Sequence, residues 1–429
     1  MAMLAKGVAL AVFTTLVSIA VIAVPRAARA EPGDDLRVYV MTMGPGDHPF
    51  FKFGHNAIWI ADRATGTSQV YNFGTFRFDS PRLIPEFMRG RLMYWLSVST
   101  IERTTAAYQK ENRSIEVQEL DLPAAEKEAL AARLAENALP ENRAYKYDYF
   151  LDNCSTRVRD AIDKATGGRL HAASTAPARM TLRAQALRLT ADLPWEYLAL
   201  HLILGPTTDR PGDRWGEMFI PEELARGLRA VSLQHPTGAR PLVKSQEVTF
   251  RAQRDAPLDH PPERGVTLLL TGLGLGVAFA GFGLAGAVSA FLRVIFGAMV
   301  ALWGFAVGFI GCFLSLVWAF TDHVVAARNE NILQCAPFAI ALCVLGWGVA
   351  AGRPGATKKA FVVAVAAAVL SLAGAALKLH PAFRQDNASL IGLFLPAWFG
   401  LFLGLATLRR ALVPQQAHRS GTRSGAEPI

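Results

Sequence analysis

Tyr145-Lys146-Tyr147-Asp148-Tyr149-Phe150-Leu151-Asp152-Asn153-Cys154-Ser155-Thr156-Arg157 is the stretch on which the reading of this chain turns. Tyr145 to Phe150 is aromatic and strand-like. From Cys154 onward the period becomes helical, with Val158, Ala161 and Ile162 as its buried stripe. A cysteine in the first turn of a helix has its thiol at the positive end of the dipole, which favours the thiolate. Buried cysteines are more commonly inert small hydrophobes. Here Asp152 and Asn153 precede the thiol and Ser155, Thr156 and Arg157 follow it, which argues against an apolar pocket. Cys154 therefore reads as a nucleophile.

Outward from this segment, the composition divides the chain. Residues 4 to 24 are apolar, and Ala28-Arg29-Ala30 precedes Glu31 in the manner of a signal-peptidase site, so 1–30 is expected to be a signal peptide or an uncleaved anchor. Residues 31–234 are expected to form an exported domain and 235–264 a proline-containing linker with one short strand. Beyond Arg264, apolar runs at 266–291, 294–320, 332–351, 360–379 and 390–408 are each long enough to cross a bilayer, which predicts about five transmembrane helices over 265–412 and a tail at 413–429. Glycines in these runs, Gly272, Gly274 and Gly276, with Gly304 and Gly308, suit close helix packing better than a nucleotide loop.

The net charge of +9 could suggest nucleic acid, but its distribution removes that idea. Residues 31–264 carry 30 basic against 31 acidic residues, while 265–429 carry 11 against 4. The excess is a topology signal: Arg353, Lys358 and Lys359 share one loop, and Arg409, Arg410, Arg419 and Arg423 follow the last run. Positive loops stay in the cytoplasm, which places the C-terminus inside and the large domain outside, in the periplasm or cell exterior. Cys312, Cys335 and Cys343 lie in or beside the apolar runs, leaving Cys154 without a disulfide partner in its own domain. An unpaired exported thiol is a liability unless buried or used. No ligand spacing argues for a metal.

The exported domain is expected to be α+β. Arg37 to Met43, Phe53 to Ile60 and Gln69 to Phe73 read as strands, the last two joined in a hairpin by the turn at Ala64-Thr65-Gly66-Thr67. Pro123 to Leu139 and much of 180–232 read as helical, with Pro221-Glu222-Glu223 as one helix start. A thiol nucleophile needs a base, and the base an orienter. Of six histidines between residues 31 and 264, His55 is the best placed, at a strand start after Gly54. His48 is its competitor, and a histidine merely satisfied inside the sheet is the plain alternative. Hairpin pairing would bring Asn72 near His55 as the orienter, although register is open.

Gly54-His55-Asn56-Ala57, Tyr71-Asn72-Phe73-Gly74-Thr75-Phe76 and the Tyr147-to-Arg157 segment together resemble the exported domain of Lnb-type lipoprotein N-acyltransferases. Thr321-Asp322-His323 and Asn329-Glu330-Asn331 resemble a polar loop of the same group. The order of histidine before cysteine is also similar to circularly permuted papain-like folds, of the NlpC type and the lecithin:retinol acyltransferase relatives. The resemblance implies an exported domain of that fold on an all-α bundle. It implies transfer of an acyl chain from a membrane phospholipid, through a thioester on Cys154, to the α-amine of a lipoprotein's lipidated N-terminal cysteine. His55 is the expected base and Asn72 the third catalytic residue, with no metal or diffusible cofactor.

Arg157 could bind a lipid phosphate, and His323, Asn329, Asn331 and Asn387, on the same side as Cys154, could contact substrate. The expected partners are phospholipid, the lipoprotein N-terminus and the bilayer. Two rival readings stand: a membrane-tethered cysteine peptidase or amidase acting on cell-wall peptide, and a non-enzymatic scaffold or sensor.

Overall fold

The computed structural model of the chain describes residues 32–77, 81–235 and 238–421. The expected signal segment at 1–30 and the end of the expected tail lie outside these residues. Strands β1 (Leu36–Met43), β2 (His55–Asp62), β3 (Thr67–Thr75), β4 (Met93–Ser99), β5 (Ile115–Leu120), β6 (Ala144–Lys146) and β9 (Val243–Phe250) form one antiparallel sheet in the order β6-β4-β3-β2-β1-β5-β9. A separate ribbon pairs β7 (Ser232–His235) with β8 (Gly238–Pro241). The helices of this part are α1 (Leu83–Arg89), α2 (Ile101–Lys110), α3 (Ala124–Asn137), α4 (Cys154–Ala165), α5 (Arg169–Ala172), α6 (Leu182–Leu189), α7 (Pro194–Ile203), α8 (Arg214–Glu217) and α9 (Pro221–Arg229).

Alternation along the strands sends side chains to two faces. Val38, Val40, Ile58, Ile60, Tyr71 and Phe73 point to one core, which Val158 and Ile162 of α4 complete. Met41, Met43, Val70 and Ile115 point to the other, closed by Ile101 and Tyr108 of α2. Val158 and Ile162 are fully buried, each contributing about 1.5–3 kcal/mol by transfer from water. The sheet is thus clasped between α4 and α2. The segment expected as a linker does more than connect: β9 pairs along β5 and becomes a sheet edge, because Val243 to Phe250 retains enough β-forming residues to continue the ladder.

The second body is helical: α10 (Gly265–Val288), α11 (Ala290–Phe320), α12 (Ala341–Ala350), α13 (Pro354–Leu377) and α14 (Ala388–Gly421). Four of these are long and apolar enough to cross a membrane. The third expected span is instead a bent pair, Val324–Leu333 with Pro337–Ala350, meeting at 64°. Asn329, Glu330, Asn331 and Gln334 turn their polarity inward there and Pro337 ends the run, so α12, about 15 Å long, cannot cross alone.

The links show where the pair runs. Arg264 bonds Ala191, Asp322 bonds Arg89 and Gln385 bonds Leu204, all at the sheet domain's end. Gly286 and Gly352 both lie against Arg293 at the other end. The bent pair therefore passes from the domain end to the opposite end, and α14 finishes away from the domain. Gly272, Gly276 and Gly283 let α10 touch the backbone of α14, and Gly304 and Gly308 do the same for α11 against Leu342 and Ile340, whereas Gly274 faces open space.

Candidate active site

Local chemistry sets Cys154 at the first position of α4. Asn153 caps the helix: its Oδ1 accepts from the Ser155 and Thr156 N–H groups at 2.9 Å, and Thr156 Oγ1 accepts from the Asn153 N–H in return. This reciprocal capping satisfies donors that a helix start leaves open. Asn153 Nδ2 donates to Tyr149 O and Phe219 O, and Ser155 Oγ donates to Met218 O. The Asn-Cys-Ser-Thr run is thereby pinned to two neighbouring segments, and the thiol has one place to go.

His55 opens β2, and Asn72 lies on its hairpin partner β3. Asn72 Oδ1 accepts a hydrogen bond from His55 Nε2 at 3.1 Å. With Nε2 carrying the proton, Nδ1 keeps its lone pair for a second partner. Between Asn72 and Thr75 the β3–β4 ladder shifts register, and Gly74 in that bulge has φ +90°, a conformation that favours glycine. A Cβ on Gly74 would stand 3.4 Å from Cys154 Cβ and 3.8 Å from His55 Cε1. Glycine here lets the thiol helix approach the histidine strand, and the bulge turns Asn72 toward the ring.

Two residues that sequence reasoning missed complete the surroundings. Arg113 is buried; its guanidinium lies 4.7 Å from the Tyr108 ring centre, and Tyr108 stacks on His55 with centroids 6.0 Å apart. Arg113 donates to Gly44 O at 2.9 Å and pairs with Glu111 at 3.4 Å, but its Nη2 is buried with no partner among the described residues. Neither residue belongs to a motif, and the stretch from 77 to 120 carries no pattern that singles them out.

Burial, and then the Arg113 cation, hold His55 down to about 4, against a smaller upward pull from Asn72. Burial pushes the Cys154 thiol up, opposed by the Asn56 N–H, by Arg113 and by the Ser155 and Cys154 N–H groups. The helix-start argument for a resting thiolate is thus overridden by desolvation. The pair rests neutral, a thiol beside an unprotonated base.

Both groups open into one cavity of about 1060 Å³, above the usual 300–1,000 Å³ of small-molecule sites. Its walls are mainly apolar, including Phe53, Tyr147, Phe150 and Phe219. Phe50, Met88 and Trp195 line it and are also exposed, which marks its mouth. Phe313 and Val317 of α11 also line the cavity. At 31 residues α11 is about 46 Å long, longer than the ~30 Å hydrocarbon core, so its end reaches up to the cavity.

The remaining expected substrate contacts lie elsewhere, His323 excepted. His323 lines the cavity and donates from Nε2 to Phe87 O at 2.8 Å. Arg157 is outside the lining: it grips Asp152 through two bonds of 2.6 and 2.7 Å and covers the Tyr145 ring at 3.8 Å. Asn329, Asn331 and Asn387 are buried away from the cavity. Asn329 Nδ2 donates to Leu202 O and Ile203 O, Asn331 Nδ2 to His201 O and Leu202 O, and Asn387 Nδ2 to Asn331 Oδ1. Asn329 and Asn331 thereby satisfy carbonyls that the end of α7 leaves open and join the domain to the bundle, while Asn387 holds Asn331 in place.

A thiol and a histidine with an amide behind it thus share one cavity of a sheet domain docked on apolar helices long enough to cross a membrane. Residues 24–188 match the family model described as the Lnb N-terminal periplasmic domain. The chain is accordingly a membrane protein with a periplasmic N-terminal domain. No curated protein and no solved structure matches it.

Proposed function

We propose that this protein moves a fatty acyl chain from a membrane phospholipid to the N-terminal amine of a lipoprotein's lipidated cysteine. The observation that carries the reading is one mainly apolar cavity that holds Cys154 and His55, opens at exposed Phe50, Met88 and Trp195, and is lined in part by Phe313 and Val317 of the apolar helix α11. A lipid ester needs such a route, because its acyl chains cannot cross water to reach a polar groove. The family match supports the reaction class.

His55 takes the Cys154 proton as the sulfur attacks the ester carbonyl, and Asn72 keeps the ring in the tautomer this requires. The Asn56, Cys154 and Ser155 N–H groups, which face the sulfur, are suited to hold the oxyanion. His55 then protonates the departing lysophospholipid, leaving a thioester that the amine attacks with His55 as base again. The order of histidine before cysteine and the antiparallel sheet against α4 support a circularly permuted papain-like ancestry. The basic residues Arg353, Lys358 and Lys359 at the start of α13 and the end of α14, both remote from the domain, support a cytoplasmic C-terminus.

The test is mass spectrometry of lipoprotein N-terminal peptides from cells carrying the native protein or Cys154→Ala. N-acylated peptides are expected only with the native protein. Equal N-acylation by a well-expressed Cys154→Ala protein would rule the mechanism out.

A further inference from the structure

The bundle's helices mark the outer face of the membrane, and two elements of the sheet domain stand level with it. α11 carries no charge from Val294 to Phe320, and Trp318 and Phe320 near its end are exposed, so lipid follows the helix to its last turn. Asp322 is the first charge beyond it, paired with Arg91 at 3.0 Å and Lys146 at 2.9 Å. The same turn holds α1, whose Arg89 and Phe87 carbonyls accept from the Asp322 N–H at 2.9 Å and His323 Nε2 at 2.8 Å. A second tie lies where α10 begins. Arg264, just before its first turn, donates to Ala191 O at 2.6 Å and covers the Tyr197 ring at 4.3 Å. The start of α7, with Trp195, therefore sits where that span leaves the domain.

α1 has two stripes. Leu83 and Phe87 pack against the sheet core, whereas Ile84 and Met88, four residues apart, are 70% and 37% exposed. Trp195 is 62% exposed. Single exposed apolar side chains need no explanation, but these stand at the ends of two spans, and Met88 and Trp195 also line the cavity of Cys154. We propose that α1 and the start of α7 dip into the outer leaflet, so that the cavity opens sideways into lipid and the donor phospholipid enters without crossing water. The donor's part in this rests on the acyl-transfer reading above. The bilayer is the occupant because the exposed stripe continues the lipid-facing end of α11, and because exposed Arg89, Arg91 and Lys146 beside it suit phosphate headgroups. A tryptophan at that depth has its ring in the headgroup boundary.

The test places full-length protein in phosphatidylglycerol nanodiscs containing a phospholipid with a diazirine near the ester end of one acyl chain. Ile84 does not line the cavity, so its labelling reports the surrounding bilayer and not a lipid in the site. After photolysis, tandem mass spectrometry should find adducts at Ile84 and Trp195 and none on exposed Val248 of β9. A native protein without an adduct at Ile84, or with Val248 labelled to the same extent, overturns the proposal. Thioester formation on Cys154 is then timed with bilayer phosphatidylglycerol and with dibutanoyl phosphatidylglycerol, which dissolves as monomers. Ile84→Glu should slow the bilayer reaction at least about tenfold, the factor that one buried apolar side chain sets, and leave the soluble reaction within about twofold. Ile84→Phe should keep both. Equal slowing with both donors, or no slowing with either, overturns sideways entry. A native protein that forms no thioester from either donor refutes the acyl-transfer reading, while the labelling still decides whether α1 is inserted.

Discussion

Replacing Arg113 with glutamine should move both protonation steps of the Cys154–His55 pair to higher pH. The guanidinium lies 4.7 Å from the Tyr108 ring centre, and that ring 6.0 Å from His55, so cation and imidazole are at most about 11 Å apart. A unit charge at about 10 Å and an effective dielectric near 20 is worth about 1.5 kcal/mol, or ~1 pH unit. Glu111, half-exposed, offsets part of it, leaving about 0.5–1 unit.

The two signs agree. His55 is held low by burial and then by Arg113, so without the cation the imidazolium persists to higher pH. Cys154 is raised by burial and pulled down in part by Arg113, so without it the thiolate forms at higher pH. Tyr94, Tyr108, Tyr145 and Tyr147 also sense the thiolate, but burial keeps their hydroxyls protonated throughout. The assay is the rate of Cys154 alkylation against pH in the full-length protein, followed by mass spectrometry of the Cys154 peptide. Arg113→Gln should shift the acid rise near 4 and the alkaline rise upward together, and Arg113→Lys should restore both. Limbs that stay put, or move apart, would refute the electrostatic reasoning.

Asn72→Ala removes the one side-chain bond to His55, worth about 1.5–3 kcal/mol once the ring is charged, so kcat/KM should drop roughly 10- to 100-fold while the acid rise moves down in pH. Gly74→Ala forces a side chain into a φ of +90° against Cys154; a cost of about 1–3 kcal/mol should appear as a lower Tm and slower alkylation. Asn331→Ala strips the Leu202 carbonyl and the Asn387 amide of a partner, and about 2–4 kcal/mol of stability should be lost. KM for the lipoprotein should not change in the folded fraction, which separates docking from substrate contact.

Much of the candidate site's geometry was legible because its parts announce themselves locally. Asn153-Cys154-Ser155-Thr156 is a helix start by residue type, and Gly54-His55 and Asn72 sit on strands whose alternation predicts a hairpin. Pairing then brings Asn72 to His55. Arg113 and Tyr108 were not legible, because each reaches His55 only when distant segments close around the cavity. Asn329, Asn331 and Asn387 misled in the opposite direction. Polar residues at the mouths of apolar helices suggest substrate contact, but the open carbonyls at the end of α7 take them first. The same cluster explains the third span: polarity turned inward, with Pro337 behind it, bends what composition presents as one apolar run.

The central claim is that Cys154 carries the acyl chain. The most direct measurement is intact-peptide mass spectrometry of Cys154 after the full-length protein meets phospholipid without any lipoprotein acceptor. The account predicts a fatty acyl mass on the Cys154 peptide, removed by hydroxylamine and passed to a diacylglyceryl-cysteine peptide on its addition. N-acylation that proceeds at the native rate with Cys154 never acylated under rapid quench, and persists in Cys154→Ala, would contradict it.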